Sequence, residues 1–386
     1  MRDLLGEMKM KEKILSIHVE LDECFEVRGG DKNVNLVNFH GTAVSKFFSG
    51  KILSGGVDTQ FQRAGEHKQL SARYMLEGTD CTGKKCRIFI ENNGTEGELV
   101  TKPSLVTDSE VLSWLMSAAL EGRIVNEENG IRIEIYEILS EFERTEHTFE
   151  KDGRKIYGEL YRPAEDRKCP FLIMSHGYNG CSEGMRQEAE RIAARGIAVY
   201  SYDFCGGGLN SKSSGRTTEM TIPSEQRDLK DVLGEVEKIS WIDKERIYLF
   251  GGSQGGFVTA LTAPEVADRI QGIFLEFPAF CIPDDWAGKK EEIKEETFEF
   301  FGMPLGKCFA EELPDYNVFQ YAAKYKGPVL IFHGDSDPVV GLRYSERLVA
   351  GYDHAELHVF PKQEHGFEAH FLTVMAGKIK EFCNYH

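Results

Sequence analysis

No part of this chain carries the ~20 consecutive apolar residues that a membrane-spanning helix needs, so no span is expected. The opening residues, Met1-Arg2-Asp3-Leu4-Leu5-Gly6-Glu7-Met8, scatter charges among apolar side chains and lack the apolar core of a secretion signal. A cytoplasmic location is the expectation. Positive charge is also short. Lys and Arg number 46 against 63 Asp and Glu, giving a net charge of −17. Neither nucleic acid nor a membrane surface is therefore expected as a partner. Paired metal-ligand cysteines are missing too. The nine cysteines are odd in number and scattered, and Cys81 and Cys86 flank a short turn with no second ligand pair nearby. That excludes a zinc framework and leaves reduced thiols as the plain reading.

What is present is enough chain for two cores. A length of 386 residues exceeds one typical core, and 41% hydrophobic content can fill both. The spacing divides the chain into residues 1–142 and 143–386. In the first part short alternating segments predict strands over Ile14–Glu20, Val34–His40, Ala43–Ser49, Leu70–Glu77, Lys85–Glu91 and Ile131–Leu139. Turn signals such as Gly29-Gly30-Asp31, Gly55-Gly56 and Asn92-Asn93-Gly94 separate them. Many short strands at close spacing predict a mostly antiparallel β-barrel or sandwich. This part lacks any Ser/His/acid set, metal cluster or phosphate loop. It reads first as a packing or oligomerisation module, through which the chain could form a homo-oligomer. Covering an active site and binding a sugar portion of a substrate are the other roles left open.

The second part has a different rhythm. Glu146–Glu150 and Lys155–Tyr161 predict a hairpin across Asp152-Gly153. Strands then alternate with helices: strand 171–176, helix 182–195, strand 197–203, helix 222–238, strand 247–252, helix 254–263, strand 272–277. Such alternation predicts a mostly parallel sheet covered on both faces. The rhythm breaks at Pro278 and resumes at Pro328. The insertion, about 279–327, carries Trp286, Phe300, Phe301 and Phe309 beside a charged run at 289–296. It predicts a lid whose aromatics line a substrate pocket. A self-contained surface subdomain is the alternative.

The most informative stretch is Gly251-Gly252-Ser253-Gln254-Gly255-Gly256, set between the apolar strand Arg246–Phe250 and the apolar helix Phe257–Ala263. Strand, G-x-S-x-G, helix is the setting of a nucleophile elbow, where glycines let strand and helix approach closely. A serine hydroxyl needs a base, and the base needs an orienting acid, in the chain order Ser, acid, His. The acid candidates follow the strand Pro328–Phe332, in His333-Gly334-Asp335-Ser336-Asp337. Asp337, on the far side of that loop, is favoured, and Asp335 is expected to cap the turn through its own backbone. His365, in the loop after Leu357–Phe360, is preferred as base over His333, His354 and His370. The loop His176-Gly177-Tyr178-Asn179-Gly180 follows another strand. The backbone N–H groups of Tyr178 and Gln254 are expected to form the oxyanion hole.

These motifs give residues 143–386 a clear resemblance to α/β-hydrolases of the cinnamoyl (feruloyl) esterase group. The matching stretches are Ser175–Gly180, Tyr202–Gly206, Met220–Pro223 with Glu225, Gly252–Gly256, Phe277–Ala279, His333–Asp337 and Glu364–Phe367. The run Gly206–Ser211 departs from that group's pattern, and the elbow sequence recurs in acetyl esterases of xylo-oligosaccharides. Residues 48–58, 71–76 and 88–94 resemble a family of small bacterial β-barrel domains of unknown function, which implies no activity. The C-terminal resemblance implies a serine esterase that hydrolyses small hydroxycinnamate esters without a cofactor or metal. Ser253, Asp337 and His365 would form the triad, with Trp286, Phe300, Phe301 and Phe309 about the acyl group. Acetyl esterase and serine peptidase remain the alternatives, with a degenerate hydrolase serving as a binding module behind them.

Overall fold

The computed structural model describes residues 10–164 and 168–385, so the Met1–Met8 segment used in the signal reading lies outside the described residues. The chain divides into two units between Leu139 and Ser140, three residues before the boundary expected from the sequence.

The first unit is built from β1 (Met10–Gly29), β2 (Lys32–Val44), β3 (Phe48–Ile52), β4 (Val57–Arg63), β5 (Gln69–Asp80), β6 (Lys85–Thr95), β7 (Val100–Thr107), β8 (Leu120–Glu127) and β9 (Gly130–Leu139). Every pairing among them is antiparallel. The order runs β1-β9-β8-β7-β6-β5-β3-β2, and β2 pairs back to β1, so the sheet closes on itself as a barrel. The short strands β3 and β4 share one place in the ring, since each pairs with both β2 and β5. Period-two alternation supplies the interior: Leu15, Ile17 and Val19 from β1, Tyr74 and Leu76 from β5, Ile88 and Ile90 from β6, Ile133 and Ile135 from β9.

The strand expected over Ala43–Ser49 is instead interrupted by a turn. Ser45 Oγ accepts the N–H groups of Phe47 and Phe48, both at 3.1 Å, and ends β2 before β3 starts. A serine that bonds the backbone two and three residues on competes with a strand ladder. Strands β4, β7 and β8 were not anticipated, because polar residues such as Asp58, Gln60 and Gln62 dilute their alternation.

The second unit holds an eight-stranded sheet. Its members are β10 (Phe142–Lys151), β11 (Arg154–Pro163), β12 (Cys169–Ser175), β13 (Ala198–Tyr202), β14 (Ile242–Gly252) and β15 (Gly272–Glu276), with a small hairpin of β16 (Thr297–Phe300) and β17 (Met303–Gly306) preceding β18 (Val329–Gly334) and β19 (Ala355–Phe360). The order is β10-β11-β13-β12-β14-β15-β18-β19. The first two junctions are antiparallel and the remaining five parallel. The expected hairpin is present: Asp152 and Gly153 both take positive φ, 49° and 75°, as a tight two-residue turn between twisted strands demands.

Strands β12, β13, β15 and β18 are buried along their whole length, which explains their unbroken apolar runs. They are covered by α1 (Arg186–Ala193), α2 (Ile222–Val236), α3 (Gln254–Thr262), α7 (Arg343–Val349) and α8 (Ala369–Tyr385). The insertion after β15 contributes α4 (Ile282–Trp286), the β16–β17 hairpin, α5 (Lys307–Glu311) and α6 (Val318–Ala322). Trp286 lies against Phe298, Phe300 and Phe309 at ring distances of 5.8, 4.8 and 5.4 Å. No helix among the described residues is long and apolar enough to cross a membrane.

Candidate active site

The C-terminal ends of β12, β14, β15, β18 and β19 meet at one edge of the sheet. The turn from β14 to α3 turns on Ser253, at φ +53° and ψ −119°. A non-glycine residue there is strained, by about 1–3 kcal/mol. The neighbouring glycines make the turn sterically feasible. A Cβ on Gly251 would stand 2.2 Å from the Gly255 carbonyl oxygen, and one on Gly255 would stand 2.3 Å from that of Ser175. The strained residue is held on both sides: its N–H donates to the Glu276 carbonyl at 2.9 Å, and its own carbonyl accepts from Ala279 N–H at 3.0 Å.

His365 Nε2 lies 2.9 Å from Ser253 Oγ, and His365 Nδ1 lies 2.8 Å from Asp337 Oδ2. These three residues, predicted from separate motifs, are thus brought into one hydrogen-bonded chain. The Asp337 side chain is fully buried, at 0% exposure. Burial alone would raise its pKa. Hydrogen bonding with His333 and His365, and from the backbone N–H of Val340, outweighs burial and holds the carboxyl well below its usual range. Its Oδ1 accepts from Val339 N–H at 2.8 Å and Val340 N–H at 2.9 Å. His333 Nε2 stands 3.5 Å from Asp337 Oδ2, and its Nδ1 meets Ser345 Oγ at 2.7 Å.

Asp335 behaves differently from the expectation. It does not cap its own turn through the backbone. Its Oδ1 accepts from Lys362 N–H at 2.6 Å and Ser336 Oγ at 2.8 Å, so it ties the acid loop to the loop bearing His365. The local capping falls to Asp337, because its two oxygens face in different directions and one serves the turn while the other serves the histidine.

The loop after β12 lies against the nucleophile: a Cβ on Gly177 would be 3.0 Å from Ser253 Cβ. His176 is buried, and its ring is fixed between Gly177 O at Nδ1, 2.8 Å, and Phe204 N–H, which donates to Nε2 at 3.0 Å. Burial lowers its pKa, so the ring stays neutral and Nε2 remains an acceptor. Tyr178 N–H and Gln254 N–H have no hydrogen-bond partner among the described residues. Gln254 opens α3, where helix N–H groups and the dipole favour negative charge. The Tyr178 side chain does separate work: its hydroxyl donates to Phe300 O at 2.8 Å and its ring meets Phe300 edge-on at 5.5 Å, fastening the β16–β17 hairpin beside the site.

A cavity of about 790 Å³ opens on Ser253 and His365. Trp286, Phe300, Phe301 and Phe309 all line it. Phe301 does so from the tip of the hairpin and is 78% exposed, whereas Phe309 is buried. Glu188 and Glu276 also line it, and sequence reasoning missed both. Glu276 ends the otherwise apolar strand β15, and that break in an apolar run was the available signal.

Sequence reasoning also passed over the role of Glu225. It is buried on α2, and its Oε2 accepts from Gln254 Nε2 at 2.8 Å. Burial pushes its pKa up to about 8 against the partly offsetting Gln254 bond. A carboxyl whose folded pKa exceeds its unfolded value binds more protons in the folded state, so its contribution to stability declines as pH rises between about 4.5 and 8. Glu225→Gln keeps an acceptor for Gln254 and removes the ionisation. The melting temperature of this variant relative to wild type is expected to climb as pH is raised from about 5 to about 9. A difference that stays flat in thermal melts across that range would count against a protonated Glu225.

Fold and site together define the second unit as an α/β-hydrolase domain of the serine-hydrolase class. Known proteins bear this out. Residues 167–304 match the serine aminopeptidase family S33, and residues 11–98 match a family of proteins of unknown function, DUF3237. Est1E from Butyrivibrio proteoclasticus, solved with ferulic acid bound, is 26% identical with a TM-score of 0.56, covering 62% of this chain and 98% of that one. Acylamino-acid-releasing enzyme of Rattus norvegicus is 24% identical over 234 residues, 55% of this chain and 31% of the relative. The quorum-quenching protein AidA of Acinetobacter baumannii is 30% identical over 135 residues, 34% of this chain and 42% of the relative. The chain thus spans less than half the length of these two curated relatives.

Proposed function

We propose that this protein is a serine carboxylic-ester hydrolase acting on hydroxycinnamate esters through an acyl-enzyme. The observation that carries the reading is the Ser253–His365–Asp337 hydrogen-bonded chain opening on a cavity walled by Trp286, Phe300 and Phe309. In this reading His365 Nε2 takes the Ser253 proton as Oγ attacks the ester carbonyl. The oxyanion rests on the N–H groups of Tyr178 and Gln254. Asp337 holds the tautomer with Nδ1–H and stabilises the imidazolium. His365 then protonates the departing alcohol, and water repeats the cycle on the acyl-enzyme. The similarity to Est1E with ferulic acid supports an aromatic acyl group.

Phe300 tests the substrate. Its ring is anchored by Tyr178 and Trp286 and faces the cavity. Burying an aromatic acyl ring against such a wall contributes about 1–3 kcal/mol. Phe300→Ala is expected to lower kcat/KM for methyl ferulate roughly 5- to 100-fold while p-nitrophenyl acetate changes little. Equal losses on both esters would point to a folding defect or general gating, and no loss on either would move acetyl esterase ahead of cinnamoyl esterase. A second reading, peptide or acyl-amino-acid cleavage, is favoured by the aminopeptidase family match over 167–304. A panel of methyl ferulate, p-nitrophenyl acetate and N-acetyl-alanyl anilide separates all three, and faster turnover of the anilide would replace the esterase reading.

A further inference from the structure

The cavity beside Ser253 contains two carboxyl groups that the hydrolytic cycle does not use. Glu276 is 4% exposed and lines the cavity, and no hydrogen bond or positive charge from the described residues acts on its carboxyl. Its backbone carbonyl accepts the Ser253 N–H at 2.9 Å. Its Oε2 lies within 3.2 Å of where a Cβ of Gly252 would stand, one residue from the nucleophile. Glu188 lines the same cavity from α1, and its Oε2 is buried with no hydrogen-bond partner among the described residues. Gly184, Met185 and Gly252, which also line the cavity, offer no side-chain donor.

A buried carboxyl without a donor, Glu276, beside a half-buried one whose Oε2 is also unpartnered, is costly unless something entering the cavity supplies the missing charge or hydrogen bonds. Lys289 is the one cationic residue on the cavity wall, against Glu188, Glu276 and Asp285. We infer that Glu188 and Glu276 form a subsite for a protonated amino group of the substrate, beside the scissile carbonyl held at Ser253. The inference goes beyond the choice of acyl group and rests on the proposed function only in placing the substrate in this cavity. An ammonium group supplies three donors and one positive charge in a compact volume. That matches a pair of acceptors packed among apolar neighbours better than a neutral group does.

The pH dependence has a definite sign. Burial raises the pKa of both groups, offset in part at Glu188 by its own backbone N–H and the charge of Arg191, and the charge of Glu188 raises that of Glu276 further. The ionised pair is the form that binds a cation. Affinity for an amine therefore rises with pH until the amine itself deprotonates near its own pKa of roughly 10.

The test uses binding rather than turnover, so that it stands apart from the fate of the esterase reading. Calorimetry on the full-length Ser253→Ala protein compares hexylammonium with 1-hexanol, which share one alkyl chain. Hexylammonium is expected to bind at least ~10-fold more tightly at about pH 8.5, with the preference shrinking toward about pH 5.5. Glu276→Gln and Glu188→Gln, each made in the Ser253→Ala background and each near-isosteric, are both expected to remove most of the preference. Melting temperatures check that each variant is folded. Equal binding of the two probes overturns the inference, as does a preference that survives both substitutions. Tighter binding of methyl glucoside than of hexylammonium would overturn it in favour of a hydroxyl-binding subsite. Loss of ester hydrolysis in Ser253→Ala bears on the nucleophile alone.

Discussion

Ser253→Ala is expected to lower kcat by several orders of magnitude while the protein stays folded. The physical reason is that the elbow geometry exists to expose one oxygen. Ser253 is held in a strained left-handed conformation by Glu276 O and Ala279 N–H, with Oγ 2.9 Å from His365 Nε2. Nothing else in the chain can replace that oxygen at that position. Removing the hydroxyl leaves the base, the acid and the N–H donors in place, so the residual rate reports binding and oxyanion stabilisation alone. A fluorophosphonate probe is expected to label wild type at Ser253 and to leave the variant unlabelled. Labelling of another residue, or unimpaired turnover in the variant, would reject Ser253 as nucleophile.

Asp337→Asn is expected to cost on the order of 10³–10⁴ in kcat, and Asp335→Asn far less. The two acids differ in what they face. Asp337 Oδ1 accepts two backbone N–H groups, so an asparagine there keeps its carbonyl oxygen on the turn and turns its amide NH₂ toward His365 Nδ1. A donor at that place selects the wrong tautomer, with the proton on Nε2 facing Ser253. Asp335 bonds Lys362 N–H and Ser336, and an asparagine can keep accepting from Lys362 N–H. The Asp337 carboxyl is held so far below the usual range that it stays charged across ordinary assay pH. Its protonation therefore contributes nothing to the acid limb of a pH–rate profile. Matching losses from the two substitutions, measured as kcat on one ester, would show that the acid is misassigned.

The sequence by itself was enough for the sheet of the second unit, because buried parallel strands must be continuously apolar and Phe171–Met174, Ile247–Phe250 and Leu330–Phe332 read that way. It was enough to mark Ser253, since only glycines at 251 and 255 permit the turn, and steric exclusion leaves a one-dimensional trace. The barrel class was legible from alternation, although the strand lost at Ser45 and the unanticipated β4, β7 and β8 depended on pairings that local pattern does not encode. What only the tertiary structure decided is which side chains face each other. His333 beside Asp337, Asp335 bridging to Lys362, Tyr178 fastening Phe300, and the Glu188 and Glu276 carboxyls sharing one cavity are contacts between residues far apart in the chain or facing across a loop. Their meaning lies in burial and distance, which arise when separate elements pack, whereas a turn or a strand follows from its own residues.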